Sequence, residues 1–593
     1  MLNNETIKNH LVTRRAFMLA AGQCTMLSVL AGRVFYMQAI KADEYKTLSD
    51  QNRVNVVMLY PARGNIIDSH GKVIAGNKSS FKVMLDKHMS KNYKASLASL
   101  FKILDLDQKQ QDSIWDKVRK YGLRSPLVIM NNINWQQLAL IEENIPNLSG
   151  VYVEMGECRT YPYAYSMAHV IGYTGTLSEA EKQELALPNI GSFSVGKSGI
   201  EKRYETTLRG TFGFKKMEVN AYGMHIRELS KQAGIPGTDL VVNIDAELQE
   251  SIYKLLPDTG GSVVVMDVDS GKVLAAVSRQ GFNTNEFADG ISHEYWRELN
   301  HDPYKPLINR FAQSSYPPGS LFKMVTVVSA LEHGMDPNVK IPCLGGASAL
   351  GSNYFRCWYK PGHGEMDMHN ALKHSCNSYM YHIAKTIGGE AILSSAAKFG
   401  FGMPTGIDLP SEASGFVPNK KWKLRRFKSD WTLADSLNIS IGQGALLATT
   451  LQLAKFCGII ASSGKSCIPR IVGTEQPSMI DIDPHHIQIL QKAMLDTVNS
   501  EGGTAYSKRI LDSNWIMSGK TGTSQVQSKK GNIDLSAQSV SFFGRNHASF
   551  IGYAPAHAPK YAISVIVDHG GGGGSAAAPV ARDIVLELSK RYS

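Results

Sequence analysis

YPPGSLFKMVTVVSALEHG, residues 316–334, is the stretch around which the rest of the chain arranges itself. Pro317, Pro318 and Gly319 predict a rigid turn, and the apolar run behind them predicts a buried helix with Ser320 in its first turn. Ser320 and Lys323 stand three residues apart, on one helix face. A hydroxyl is a poor nucleophile at neutral pH and needs a base within hydrogen-bond reach. A lysine fills that role only when neutral, which burial and a second nearby cation both promote. The helix N-terminus also favours negative charge developing at Ser320. Alone, S-x-x-K carries little weight, because it recurs by chance in long chains.

Two further stretches change that. LKHSCNSYMYHIA, residues 372–384, sets Ser375-Cys376-Asn377 at the head of another apolar helix. A hydroxyl at Ser375 is placed to relay a proton between base and leaving group, and the Asn377 carboxamide to hold a peptide backbone. NWIMSGKTGTSQV, residues 514–526, predicts a strand around Lys520-Thr521-Gly522. Gly522 lacks a side chain, so a substrate backbone can approach and pair along the strand edge. Lys520, Thr521 and Thr523 offer a cation and two hydroxyls to a carboxylate. The backbone N–H groups of Ser320 and Thr523 are candidates for an oxyanion hole. Singly, these stretches read as a helix cap, a second helix cap and a turn. Together, in this order and each in a fitting context, they resemble the penicillin-recognising serine acyltransferases, whose elements are S-x-x-K, S-x-N and K-T-G.

The resemblance runs from about residue 30 to 588. RVFYMQAI, PARGNIIDSHGKVIA and GKSGIEKRYETTLRG are similar to the anchor and pedestal of class B penicillin-binding proteins. NISIGQGALLATTLQLAKF and GGGGGSAAAPVARDI are similar to later parts of that family. EVNAYGMHIREL and RCWYKPGHG resemble most closely its penicillin-binding protein 2 group, the transpeptidases of cell elongation. No glycosyltransferase module precedes the pedestal, which points away from bifunctional class A members.

A multidomain chain is therefore expected. Residues 1–15 read as a cytoplasmic tail, 16–39 as a transmembrane signal anchor and 40–236 as an α+β pedestal of the dimerisation type. Residues 237–593 read as an α/β transpeptidase domain, and the resemblance implies an antiparallel sheet with helices on both faces, as in serine β-lactamases. Within it, NIDAELQESIYKLL predicts a helix and GGSVVVMDVDSGKVLAAVS a hairpin turning at Asp269-Ser270-Gly271. The Gly-rich run DHGGGGGSAAAPVARDIVLEL lacks the Lys and Ser or Thr of a phosphate loop and reads as a flexible turn before a C-terminal helix.

The implied chemistry is D-Ala-D-Ala transpeptidation, with a weak carboxypeptidase side reaction. Ser320 attacks the penultimate D-Ala carbonyl of a peptidoglycan stem peptide, terminal D-Ala leaves, and an amine of a neighbouring stem resolves the acyl-enzyme. A β-lactam mimics the substrate and leaves a slowly hydrolysing adduct. The implied partners are a SEDS-type glycan polymerase and other elongation-complex proteins. The resemblance also suggests zinc. Cys343, Cys357, His363 and Cys376 are spaced by 14, 6 and 13 residues, close to a metal-binding spacing in some relatives that carry Asp at the first two positions. Cysteine there makes a softer set suited to tetrahedral zinc. A disulfide among the three cysteines is the alternative in an oxidising compartment.

The remaining readings come from composition. With 593 residues, 43% hydrophobic and 19% charged, the chain is globular and larger than one domain. Its net charge of +11 is spread along the whole length without a finger, RNP or basic-zipper pattern, so nucleic acid is not the expected partner. Anionic lipid or an anionic cell-wall polymer fits a diffuse positive surface better. Residues 16–32, AFMLAAGQCTMLSVLAG, carry no charge, and Lys8, Arg14 and Arg15 precede them, which predicts an inner-membrane anchor with the rest exported to the periplasm. No clean A-x-A site follows, Gln23 spoils a lipoprotein site at Cys24, and TRRAFM resembles a twin-arginine export signal. Two rival functions lack their signatures. A class A β-lactamase needs a Glu before a Leu-Asn pair, and Ala434 stands there ahead of Leu437-Asn438. A penicillin sensor has several membrane spans, and a pure scaffold would have lost a catalytic residue.

Overall fold

The computed structural model describes residues 4–41, 54–87, 89–90, 92–120, 126–185, 193–219, 225–288, 290–350, 353–526 and 541–592. The chain folds as two compact units, one drawn from residues 1–62 and 210–237 and the other from 63–209 and 238–593.

In the first unit, helix α1 (Asn4–Phe35) runs into a wider turn at Tyr36–Ile40. It starts well before the expected anchor boundary because no Pro or Gly interrupts residues 4–15. The stretch Arg14–Ile40 is long and apolar enough to cross a membrane, and none of its apolar window is buried within the protein. Apolar side chains that no protein surface covers, on a helix of this length, fit a single-pass membrane anchor. Val54–Leu59, Gly213–Val219 and His225–Gln232 form an antiparallel sheet in that order, with Val54 opposite Glu218 and Leu59 opposite Gly213.

The second unit contains the pedestal sheet. Its long strand, Val73–Leu85, pairs antiparallel with Ile66–Ile67, Leu127–Ile133 and Val151–Thr160. Helices at Tyr93–Ile103, Gln108–Lys120 and Trp135–Asn144 pack Leu97, Leu100, Ile114 and Ile141 onto Val83, Leu85 and Ile129 of that sheet. The charged segments PARGN and GKSGIEKRYE meet in a buried ion cluster. Arg63 Nη2 stands 2.6 Å from Glu201 and 2.8 Å from Glu205, and Arg159 Nε stands 2.7 Å from the other Glu201 oxygen.

The rest of this unit is built on a five-stranded antiparallel sheet. Its strands are β1 (Gly261–Asp267), β2 (Val273–Arg279), β3 (Ser518–Ser524), β4 (His547–Ala554) and β5 (Tyr561–Val567), in spatial order β2-β1-β5-β4-β3. The predicted hairpin forms, with Val264 opposite Ala276 and Gly271 at φ +72° in the turn. Packed around the sheet are α2 (Ala246–Leu255), α3 (Lys323–Glu332), α4 (Asn377–Lys398), α5 (Lys420–Phe427), α6 (Leu433–Ser440), α7 (Thr450–Ala461) and α8 (Ala578–Tyr592). Val263 and Val265 of β1 join a core with α2 and α8, whereas Val264 and Met266 join a second core with α3 and α7. Two buried faces explain why β1 reads as one apolar run rather than an alternation. Arg591, near the chain end, donates to both oxygens of Asp245, at 2.7 and 2.8 Å, and Asp245 also caps α2.

The Gly-rich run joins β5 to α8 as expected, yet it is packed rather than loose. A Cβ on Gly573 would stand 2.3 Å from the Gly522 carbonyl oxygen and 2.4 Å from that of Ser549. The glycines allow the chain to cross the inner strands at backbone contact, which is a steric requirement and not a need for flexibility.

Candidate active site

Pro317-Pro318-Gly319 does not lead straight into an α-helix. Gly319–Phe322 forms a 3₁₀ turn and α3 begins at Lys323, so Ser320 lies just ahead of the helix in which the sequence predicts it. The cause is crowding. Gly319, at φ +55°, donates its N–H to Gly442 O at 2.9 Å, and a Cβ there would stand 2.4 Å from Thr523 O. Residues i and i+3 stack directly in a 3₁₀ turn, so Ser320 and Lys323 still share a face. Ser320 is half-buried.

Lys323 is 0% exposed, and its Nζ donates to Ser375 O at 2.7 Å, Ser375 Oγ at 3.1 Å and Asn377 Oδ1 at 2.6 Å. Those contacts use every donor an ammonium possesses. Burial pushes the amine down to about 8, against the sulfurs of Cys357, Cys376 and Cys343, which pull it upward. Lys520 is buried as well, and burial followed by the charge of Lys323 holds it well below its ordinary range. Two buried amines within electrostatic reach of each other favour a state in which one is neutral.

Lys520, Thr521, Gly522 and Thr523 lie on β3, with Lys520 opposite Ile551 and Gly522 opposite Ser549 on β4. β3 ends the sheet order, so one of its edges carries no strand partner among the described residues. Such an edge accepts an extended peptide by backbone hydrogen bonding. Gly522 also answers to packing, since a Cβ would stand 2.3 Å from Ser549 Oγ and 2.8 Å from Leu321 Cγ. Thr521 Oγ1 is 2.7 Å from Thr504 Oγ1. Ser375 holds the left-handed backbone conformation, φ +55°, and Asn377 opens α4.

Beside this group, Cys343, Cys357, His363 and Cys376 form a cluster whose donor atoms all lie within 4.8 Å of one another. Cys343 Sγ and Cys357 Sγ each stand 3.5 Å from His363 Nδ1. A tetrahedral zinc with its usual bond lengths separates sulfur and nitrogen ligands by about 3.5 Å, so the set has the right span. All seven cysteines are free thiols. A hydrogen bond from Cys376, aided by the backbone N–H groups of Asn377 and Tyr359, holds Cys357 well below the ordinary thiol range. The same hydrogen bond pushes Cys376 up, so the pair shares one proton that a metal would have to displace.

Residues 261–586 match the penicillin binding protein transpeptidase domain, and residues 58–242 match the penicillin-binding protein dimerisation domain. The peptidoglycan D,D-transpeptidase MrdA of Haemophilus influenzae is 32% identical over 98% of this chain and 92% of its own. Penicillin-binding protein 2 of Helicobacter pylori, solved in complex with MreC, is 31% identical with a TM-score of 0.81, over 91% of this chain and 99% of that one. This chain belongs to the penicillin-binding protein 2 family. As such it is a serine-type transpeptidase that cross-links peptidoglycan and is acylated by β-lactams. A further neighbour, from work on structural coordination of polymerization and crosslinking by a peptidoglycan synthase complex, is 25% identical with a TM-score of 0.70, over 98% of this chain and 99% of that one.

Other residues of this chain support the site without a motif of their own. Trp358 donates from Nε1 to Ser375 O at 3.0 Å and His374 O at 3.2 Å, so the carbonyl that receives Lys323 is held from two sides. Gln443 donates to Thr523 O at 3.1 Å, beside the Gly442 turn that meets Gly319. The G-Q-G run was a visible turn signal, but its partners lie about eighty residues or more away, and no local pattern names them.

Proposed function

We propose that this chain carries out acyl transfer at Ser320, with Lys323 as its general base. The carrying observation is the environment of Lys323: fully buried, pushed down to about 8, and bonded to both Ser375 and Asn377. Neutral Lys323 takes the Ser320 proton as Oγ bonds to the penultimate D-Ala carbonyl carbon. The backbone N–H groups of Ser320 and Thr523 receive the oxyanion. Ser375 relays the proton to the departing nitrogen as the C–N bond breaks, and D-Ala leaves. An acceptor amine, diaminopimelate in a Gram-negative setting, then bonds to the acyl carbon and gives its proton to the same base, which returns it to Ser320 Oγ as the ester C–O bond breaks. Asn377 and the edge of β3 hold the stem backbone, while Lys520, Thr521 and Thr523 meet its carboxylate and Gly522 keeps the strand close.

We assign residues 1–15 to a cytoplasmic tail, 16–39 to the anchor, 40–236 to the pedestal and 237–593 to a periplasmic transpeptidase domain. The basic residues ahead of the apolar run support that orientation. Cys343, Cys357, His363 and Cys376 hold a structural zinc in this reading, and the span of their donor atoms supports it. When bound, zinc supplies a four-ligand cross-link that fixes the second-motif loop. A SEDS-type glycan polymerase and further elongation-complex proteins are the proposed partners; one structural neighbour in complex with MreC and another from a peptidoglycan synthase complex support a partnered role.

The test is covalent labelling of the full chain with a fluorescent penicillin, beside Ser320→Ala. A long-lived adduct absent from the variant is expected. An adduct in the variant, or rapid release of hydrolysed drug, would overturn the assignment.

A further inference from the structure

Residues 420–428, KKWKLRRFK, place six cations in nine residues with no acid among them. The segment is α5, capped at its start by Asn419 and closed by Lys428 in the left-handed conformation at φ +55°, and no residue of the helix is buried. Only two of its cations have acidic partners among the described residues: Lys420 with Glu390 at 2.8 Å, and Lys423 with Asp435. Lys421, Arg425, Arg426 and Lys428 are exposed and have none there. Like charges three or four apart, such as Lys421 with Arg425 and Arg425 with Lys428, weaken a short helix. A solvated surface ordinarily intersperses the two signs. A patch of one sign, kept against that repulsion, attracts a counter-charged partner.

The patch stands near the nucleophile. The Trp422 ring lies 5.0 Å from that of Phe416. Phe416 bridges to Leu447, and the next residue, Ala448, bridges to Tyr316, four positions before Ser320. With neighbouring strands about 4.8 Å apart, two spacings put Phe416 about 10 Å from the segment that delivers Ser320, and α5 rests on Phe416 through Trp422.

We propose that Lys421, Arg425, Arg426 and Lys428 form a docking surface for the carboxylates of a peptidoglycan strand, presenting its stem peptides to the site; this rests on the transpeptidase reading above. Stem peptides repeat free carboxylates along one polymer, and several exposed guanidinium and ammonium groups match that chemistry. A membrane surface fits less well. Eight residues of helix span about 12 Å, and Trp422 turns its ring onto Phe416 and Phe427, at 5.0 and 5.4 Å, which leaves Leu424 and Phe427 as a short apolar face where an interfacial helix needs a long continuous one.

The experiment compares the full chain with a Lys421→Gln, Arg425→Gln, Arg426→Gln, Lys428→Gln variant, both in nanodiscs of zwitterionic lipid. Each is sedimented with purified sacculi at low and high salt, and separately with vesicles rich in phosphatidylglycerol. The wild type should bind sacculi in a salt-sensitive way, and the variant should lose at least tenfold in affinity. Both should take the fluorescent penicillin at the same rate, which shows an intact site. Normal labelling with equal sacculus binding by the two proteins overturns the docking surface alone. Loss of vesicle binding with sacculus binding unchanged overturns it in favour of a lipid surface. A wild type that takes no label overturns the transpeptidase reading, and the inference with it.

Discussion

Lowering the pH from 8 to 6 should slow penicillin acylation by about fifty-fold. With Lys323 as the proposed base, which acts only when neutral, activity should rise with pH through its titration, which burial places at about 8. About half of the chains then hold a neutral amine at pH 8, about a tenth at pH 7 and about a hundredth at pH 6. A lysine left at its ordinary 10.5 would be neutral in only about 0.03% of chains at pH 7, so the buried setting supplies about a three-hundred-fold gain. The assay is the second-order rate constant for a fluorescent penicillin between pH 5.5 and 9.5, on protein shown by circular dichroism to stay folded. Lys323→Arg gives the companion measurement, because guanidinium keeps the positive charge but does not become neutral in this range. Its acylation should fall by at least a hundredfold, the lower end for loss of a general base. A profile flat between pH 6 and 8, or an arginine variant as fast as wild type, would refute the role given to Lys323.

Three other substitutions test the surroundings. Glu201→Gln keeps the volume but leaves Arg159 buried without its carboxylate, and should destabilise the pedestal by about 3–5 kcal/mol, seen as a lowered calorimetric transition; an unchanged transition counts against a stabilising ion cluster. Trp358→Phe removes the donor to Ser375 O, a bond worth about 0.5–1.5 kcal/mol, and should slow acylation between about two- and tenfold with the melting temperature kept; a wild-type rate would show that the carbonyl is held well enough by Lys323 alone. Purified chain should contain one zinc by mass spectrometry, lost in Cys357→Ser with a fall in melting temperature. Metal-free wild type with a Cys357–Cys376 disulfide would replace zinc with a covalent brace.

What the sequence disclosed, and what it hid, follows from how far apart the interacting residues lie. Ser320 with Lys323, Ser375 with Asn377, and Lys520 with Thr523 are each confined to four residues or fewer, so spacing alone shows their common face or strand. The β1–β2 hairpin is local in the same way, with Gly271 marking its turn. By contrast, Gly319 is pressed against Gly442 and Thr523, and Gly573 against Gly522, across long stretches of chain. Close approach of that kind leaves only a glycine in each segment, and a glycine reads equally well as a flexible turn. The ion cluster of Arg63, Arg159, Glu201 and Glu205 was hidden for a related reason, since each residue alone looks like ordinary surface charge.

The cysteine cluster and Lys323, the proposed base, converge on three consecutive residues, and this fixes what kind of help the cluster can give. Ser375 sits at φ +55°, a conformation that costs a non-glycine residue about 1 kcal/mol or more and persists only where the surroundings impose it. Several contacts do so: Lys323 and Trp358 bond its carbonyl oxygen, and its own N–H bonds to Leu372 O at 3.1 Å. Next to it, the N–H of Cys376 bonds to Ala371 O at 2.8 Å, and that of Asn377 to Cys357 Sγ at 3.4 Å. Moving Cys376 or Cys357 therefore moves the acceptors of the Lys323 amine, although no cysteine bonds that amine directly. A metal held by those sulfurs would act on the reaction by position, through Ser375 and Asn377, and Cys357→Ser should lower the acylation rate without abolishing it. Complete loss in a folded Cys357→Ser protein would instead place the cluster within the proton-transfer chemistry itself.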